Sequence, residues 1–137
     1  MSRRLTREAV FKALFQVDVG HIDPGKALQY SLEDLFLTPE ERDLASRLFS
    51  GIIKHQKELD ETITPYLVGW ELHRLVAVDR CLLRMALYEI LYEEDIPPIV
   101  SINEALELAK KYSSSEAVAF INGVLDRIST NRLTEGG

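Results

Sequence analysis

Apolar residues recur every three or four positions through almost the whole chain, and the runs are separated by residues that start and stop helices. In the first run Val10, Leu14 and Val17 share a face that Phe11 and Phe15 widen, which predicts a helix over 6–19. Gly20 is the expected stop, because glycine takes the left-handed conformation that ends a helix without steric cost. Asp23-Pro24 opens the next helix, with Asp23 as cap, Pro24 where its missing N–H costs nothing, and Ala27, Leu28, Leu32 and Leu35 facing inward. Thr38-Pro39-Glu40-Glu41 has the form of a capping box, in which a hydroxyl and a carboxylate three residues apart satisfy each other's backbone N–H. Leu44, Leu48, Ile52, His55, Leu59 and Ile63 then line one long helix, which should end near Thr64 because Pro65 disfavours helical geometry in the residue before it.

A bend over 66–70, with Gly69 as its hinge-like residue, is the expected seam between two halves. Beyond it, Leu75, Val78, Leu82, Met85 and Ile90 mark a helix over 72–93, which Asp95-Ile96-Pro97-Pro98 breaks. Ser101-Ile102-Asn103-Glu104 and Ser113-Ser114-Ser115-Glu116 read as two further capping boxes, opening helices through Lys111 and about Thr130. The last carries Val118, Ile121, Leu125 and Ile128 inward. No segment alternates with period two, and no internal repeat is present. The expectation is an all-α fold: a compact helical bundle built from two helical halves, one domain over 1–137 with possible halves 1–68 and 69–137.

Composition supports a folded domain, with 46% apolar and 28% charged residues. No apolar run approaches the roughly 20 residues of a membrane span. The start, Met-Ser-Arg-Arg-Leu-Thr-Arg, lacks the apolar stretch of a secretory signal, and Cys81 is the single cysteine. Together these predict a cytoplasmic protein in a reducing compartment, with no membrane partner. The net charge of −6 disfavours general nucleic-acid binding, but its distribution is uneven. Residues 1–12 carry Arg3, Arg4, Arg7 and Lys12 against Glu8 alone, while the remainder holds 12 basic and 21 acidic residues. A basic end on an acidic body attracts phosphate locally and repels it elsewhere. A simply solvated basic terminus is the plainer reading of the same charges.

The chemistry-bearing residues are scattered, which predicts a protein that is not an enzyme. His21, His55 and His73 are far apart and none has a second histidine or cysteine at ligand spacing, so no metal or other cofactor is expected. Cys81 lies in mid-helix beside Leu82 and Leu83, a place for a buried, inert thiol. The acidic pairs Glu40-Glu41, Asp60-Glu61 and Glu93-Glu94 diverge by about 100° on a helix and do not converge on one substrate. The seven glycines form no phosphate-binding loop. Arg74, Arg80 and Arg84 fall on one predicted helix, with pairing to neighbouring acids as the plainer account. Asn122-Gly123 inside an apolar helix is locally costly, about 1 kcal/mol for the glycine, which calls for a packing reason or a surface that a partner approaches.

Several stretches together resemble the NusB family of bacterial transcription antitermination factors. They are Arg7-Glu8-Ala9 with Ala13-Leu14-Phe15-Gln16; Trp70-Glu71-Leu72-His73-Arg74-Leu75 with Val78-Asp79-Arg80 and Leu83-Arg84-Met85-Ala86-Leu87-Tyr88-Glu89; Ile96-Pro97 with Ile102-Asn103-Glu104-Ala105; and Phe120-Ile121-Asn122-Gly123-Val124-Leu125-Asp126. The likeness spans nearly the whole chain, although residues 21–37 carry no signature of it. It implies an all-helical fold in two halves and binding of single-stranded boxA RNA in nascent ribosomal RNA leaders. The partner it implies is NusE, a small-subunit ribosomal protein, and the pair joins RNA polymerase with NusA and NusG. The resemblance places RNA contacts at Arg3, Arg4, Arg7, Arg80, Phe120 and Asn122, and NusE contacts at Asp79 and Glu116. Arginine suits such work, since its planar fork binds phosphate and stacks on bases. A purely protein-binding module with internally paired arginines is the alternative. A helical domain preceding an RNA cytosine methyltransferase is a further relative, set aside because no catalytic cysteine or cofactor-binding sheet follows in this sequence. A homodimer that buries the RNA face is also possible.

Overall fold

The computed structural model describes residues 3–136, and the side chains of residues 4–132. The described residues are almost entirely helical and contain no strand, so the chain is all-α. They divide into two compact units, one through Lys54 and the other from His55.

In the first unit α1 (Arg3–Gly20) packs on α2 (Pro24–Leu32) and α3 (Pro39–Lys54). Val10, Ala13, Leu14, Ala27, Leu48 and Ile52 are buried, as the apolar period requires. Helix α1 begins before Thr6, so the arginines at 3, 4 and 7 are helical. Its exit also differs from expectation. Gly20 stays helical, and His21 takes the left-handed conformation at φ 53°, the one non-glycine residue with positive φ among those described. Asp23 caps α2 by accepting the Lys26 N–H at 3.2 Å, with Pro24 in the first turn. The Thr38 box is reciprocal: Thr38 N–H donates to Glu41 Oε1 at 3.0 Å, and Glu41 N–H to Thr38 Oγ1 at 3.1 Å.

The predicted single helix to Thr64 is broken at His55, whose φ −101° and ψ 13° interrupt the helical path. This break lies at the boundary between the two units. The apolar stripe runs on through α4 (Gln56–Ile63), where Leu59 and Ile63 are buried, so periodicity carries no sign of the interruption. The His55 ring stacks on Tyr92 with centroids 4.6 Å apart, and the Tyr92 hydroxyl donates to Glu58 at 2.7 Å, which fixes residue 55 to the second unit.

In that unit α5 (Ala77–Tyr92) is the central helix and packs against α4, α6 (Pro98–Tyr112) and α7 (Ser115–Gly136). Every residue over 81–89 is buried, including Cys81, because neighbours surround the helix on all sides. Arg84 in this helix makes a bidentate ion pair with Asp60 of α4, at 2.7 and 2.9 Å. Helix α6 starts at Pro98 with Pro97 as its cap, so Ser101 is interior rather than capping. Its buried hydroxyl donates to Glu89 Oε1 at 2.8 Å. At the start of α7 the capping hydroxyl is that of Ser114, which accepts the Ala117 N–H at 3.1 Å, while Ser113 donates to Asp79 Oδ1 at 2.8 Å. The serine run thus serves two purposes, one residue apart.

Candidate functional site

Between α4 and α5 the chain makes a short 3-10 turn over Thr64–Tyr66, a tight turn, and a second 3-10 turn over Leu72–Arg74. Gly69 occupies the tight turn at φ 80°, closed by the Trp70 N–H donating to Leu67 O at 3.0 Å. A positive φ at the third position of such a turn demands glycine or asparagine. The turn delivers Trp70 to the surface, 58% exposed. Arg80 then clamps the second 3-10 turn: its Nη1 donates to Leu75 O at 2.7 Å, with longer contacts to His73 O at 3.3 Å and Leu72 O at 3.5 Å.

The clamped loop forms one wall of an open groove with a volume of about 280 Å³. Trp70, Arg74, Leu75 and Val76 come from the loop, Asp79 from α5, and Ser114, Glu116, Ala117 and Phe120 from the first turns of α7. Two aromatic rings therefore border a cleft that also holds one cation and two carboxylates. Asp79 is buried and already accepts the Ser113 hydroxyl; Glu116 is exposed. A carboxylate in partial burial gains most from a charge-assisted donor, so the groove can receive a basic side chain. Trp70 and the half-buried Phe120 offer surfaces on which an unpaired base can stack. With two acids to one arginine, the cleft does not attract phosphate by charge.

The predicted site residues are thus only partly brought together. Asp79, Glu116 and Phe120 share the groove. Arg80 is beside it, but its guanidinium is engaged with carbonyls, so it shapes the loop rather than presenting charge. Asn122 is exposed, yet two residues from Phe120 on a helix means about 200° of rotation, so the two side chains leave opposite flanks of α7. In the first unit Arg4 is exposed, whereas Arg7 is only 3% exposed and cannot offer its guanidinium to a phosphate as it stands. The side chain of Arg3 lies outside the described residues. Trp70 and Arg74 are groove residues that no predicted site contained. The signal for them was Gly69, whose turn exposes the tryptophan that follows.

A model of the NusB family matches residues 4–130. The chain belongs to the NusB family. It is 46% identical over 132 residues to the transcription antitermination protein NusB of Bacillus velezensis, an alignment covering 96% of this chain and 98% of that protein. Among solved structures, T. maritima NusB superposes with a TM-score of 0.89 at 41% identity, covering 95% of this chain and 92% of that one. A chain in a crystal structure of antitermination factors NusB and NusE with double-stranded RNA superposes with a TM-score of 0.87 at 26% identity, covering 94% of this chain and 96% of that one. The NusB fold is therefore shared over nearly the full length. No helix among the described residues is long and apolar enough to cross a membrane.

Proposed function

We propose that this NusB-family chain is a transcription antitermination factor that binds boxA RNA of nascent ribosomal RNA leaders as a heterodimer with NusE, and that the pair joins RNA polymerase together with NusA and NusG. The observation that carries this reading is the groove: a buried acid and an exposed one, Asp79 and Glu116, flanked by the aromatic walls of Trp70 and Phe120. The acids suit a basic protein partner, and the rings suit unpaired bases beside it. A solved complex of a structurally similar chain with NusE and double-stranded RNA supports the part of this reading that concerns NusE and RNA.

In this reading Asp79 and Glu116 meet NusE, while Phe120, Arg4 and the N-terminal turn of α1 meet RNA. The acidic body, with 21 acidic against 12 basic residues beyond residue 12, keeps affinity for arbitrary RNA low and makes boxA binding depend on the partner. A gel-shift titration of boxA RNA with and without NusE tests it. Tighter binding by the heterodimer is expected, and equal affinities overturn the reading. The second reading, a protein-binding module without RNA contact, gains from the burial of Arg7 and the engagement of Arg80. It predicts no loss of RNA affinity when Arg4→Ala and Arg7→Ala are combined. Sedimentation with and without RNA addresses a homodimer, which RNA should dissociate if the two compete for one face.

A further inference from the structure

Gly123 stands in mid-helix without a structural reason. A Cβ at this position would meet no atom within 4 Å, and its φ is not in the left-handed region, so neither packing nor backbone conformation requires a glycine. The cost of the residue, about 1 kcal/mol against alanine, is therefore uncompensated within the chain. Its place on α7 is informative. Phe120, Gly123 and Arg127 are spaced i, i+3 and i+7, which puts them on one face of the helix. Phe120 is the end of the groove, so Gly123 and Arg127 continue its wall along α7.

Arg127 is exposed but held in place. Its Nε donates to Gly123 O at 3.1 Å, and its Nη2 donates to Tyr66 O at 3.1 Å. These two bonds lay the guanidinium along the helix surface, fixed in position, and the Nη1 edge has no partner among the described residues. An aromatic ring, a stretch of bare backbone and a fixed cation thus follow one another.

We propose that the ridge Phe120–Gly123–Arg127 is a track for a single RNA strand leaving the groove: one unpaired base stacks on Phe120, the strand lies close over Gly123 because no Cβ holds it off, and a phosphate meets Arg127. The proposal rests on the RNA-binding reading above and extends it to two residues. Single-stranded RNA is the occupant because the order ring, gap and cation repeats the alternation of base and phosphate along a strand. A protein segment would gain little from an isolated arginine flanked by bare backbone.

The test uses fluorescence anisotropy of labelled single-stranded boxA RNA with the full chain bound to NusE, over a range of salt. Gly123→Ala is expected to raise the thermal midpoint by about 3 °C, since it removes a helix-interior glycine into open space. It should nevertheless weaken RNA binding about fivefold or more, because an added methyl lifts the strand from the ridge. Arg127→Gln should weaken binding by a similar factor and reduce the magnitude of the slope of log K against log salt by about 0.7, the loss of one phosphate contact on a single strand. Unchanged RNA affinity in Gly123→Ala, or an unchanged salt slope in Arg127→Gln, overturns the track. Weakened binding to NusE alone, without RNA, also overturns it, since the surface would then belong to the protein partner. If the unsubstituted heterodimer itself fails to bind boxA RNA, it is the broader reading that fails.

Discussion

Removing the carboxylate of Asp60 should cost the second unit about 2 kcal/mol. Arg84 donates from Nε and Nη2 to the two oxygens of Asp60, at 2.7 and 2.9 Å, tying α5 to α4. Its side chain is 9% exposed and that of Asp60 28%. Breaking a fully buried pair costs about 3–5 kcal/mol, mostly because the remaining charge stays desolvated. Here water reaches the carboxylate end and Arg84 keeps other interactions, so the lower figure of about 2 kcal/mol applies to Asp60→Ala. Trp70 is the only tryptophan and lies in the second unit, so its fluorescence reports that unit's unfolding in urea. With a slope of about 1.5 kcal/mol per molar urea, the midpoint should fall by about 1.3 M. The control is the pair Asp60→Ala with Arg84→Met, which removes both charges and leaves an apolar chain of similar length. Because Arg84→Met also removes the other interactions of Arg84, the comparison is with Arg84→Met alone, on which the added Asp60→Ala should cost less than about 1 kcal/mol. A double variant as unstable as the sum of the singles would refute the coupling.

Two shorter predictions concern the loop that walls the groove, and a third the far end of α5. Gly69→Ala forces an L-residue to φ 80° with nothing within 4 Å of its Cβ, so the loss is purely conformational, about 1–2 kcal/mol in urea unfolding, with a shifted Trp70 emission. Arg80→Gln removes the short bond to Leu75 O and should cost about 1–2 kcal/mol while altering the Trp70 spectrum; an unaltered spectrum would mean that the clamp does not set the loop. Tyr92 has its hydroxyl raised above the ordinary 10.0, chiefly by the hydrogen bond to Glu58 and secondly by burial. Because the folded value lies above the unfolded one, the stabilisation is complete below pH of about 10 and is lost as pH rises through the raised value. Stability measured against alkaline pH should therefore fall less steeply in Tyr92→Phe.

The helical architecture was legible because it follows from local chemistry: apolar period, proline position and a reciprocal Thr38–Glu41 box all act within a few residues. The errors arose where a local pattern had a distant partner. Ser101 and Glu104 have capping spacing, but Ser101 is claimed by Glu89, twelve residues earlier, and Pro97-Pro98 had already opened the helix. The break at His55 coincides with a stack of its ring on that of Tyr92, a distant residue that the sequence around 55 does not display. The site was less legible for the same reason. Arg80 and Arg84 look alike in sequence, one turn apart, yet one binds the carbonyls of a loop and the other a carboxylate of another helix. Trp70 and Arg74 could be placed in a groove only once the loop's path was known.

The withdrawal of two arginines changes how binding would be divided between the partners of the proposed complex. Arg7 is buried and Arg80 is committed to the loop, so the cations this chain can direct at phosphate are fewer than its basic N-terminus suggests. Around the groove the carboxylates outnumber the cation, and the body carries the net negative charge. Phosphate attraction falls off over roughly 10 Å at ordinary salt, so the field in the cleft is set chiefly by the charges that line it. A basic partner seated against Asp79 and Glu116 would neutralise the cleft and supply the missing positive field at the same place. On the proposed reading the acids would make RNA affinity conditional: they would weaken binding by the chain alone and strengthen the contact through which the pair binds.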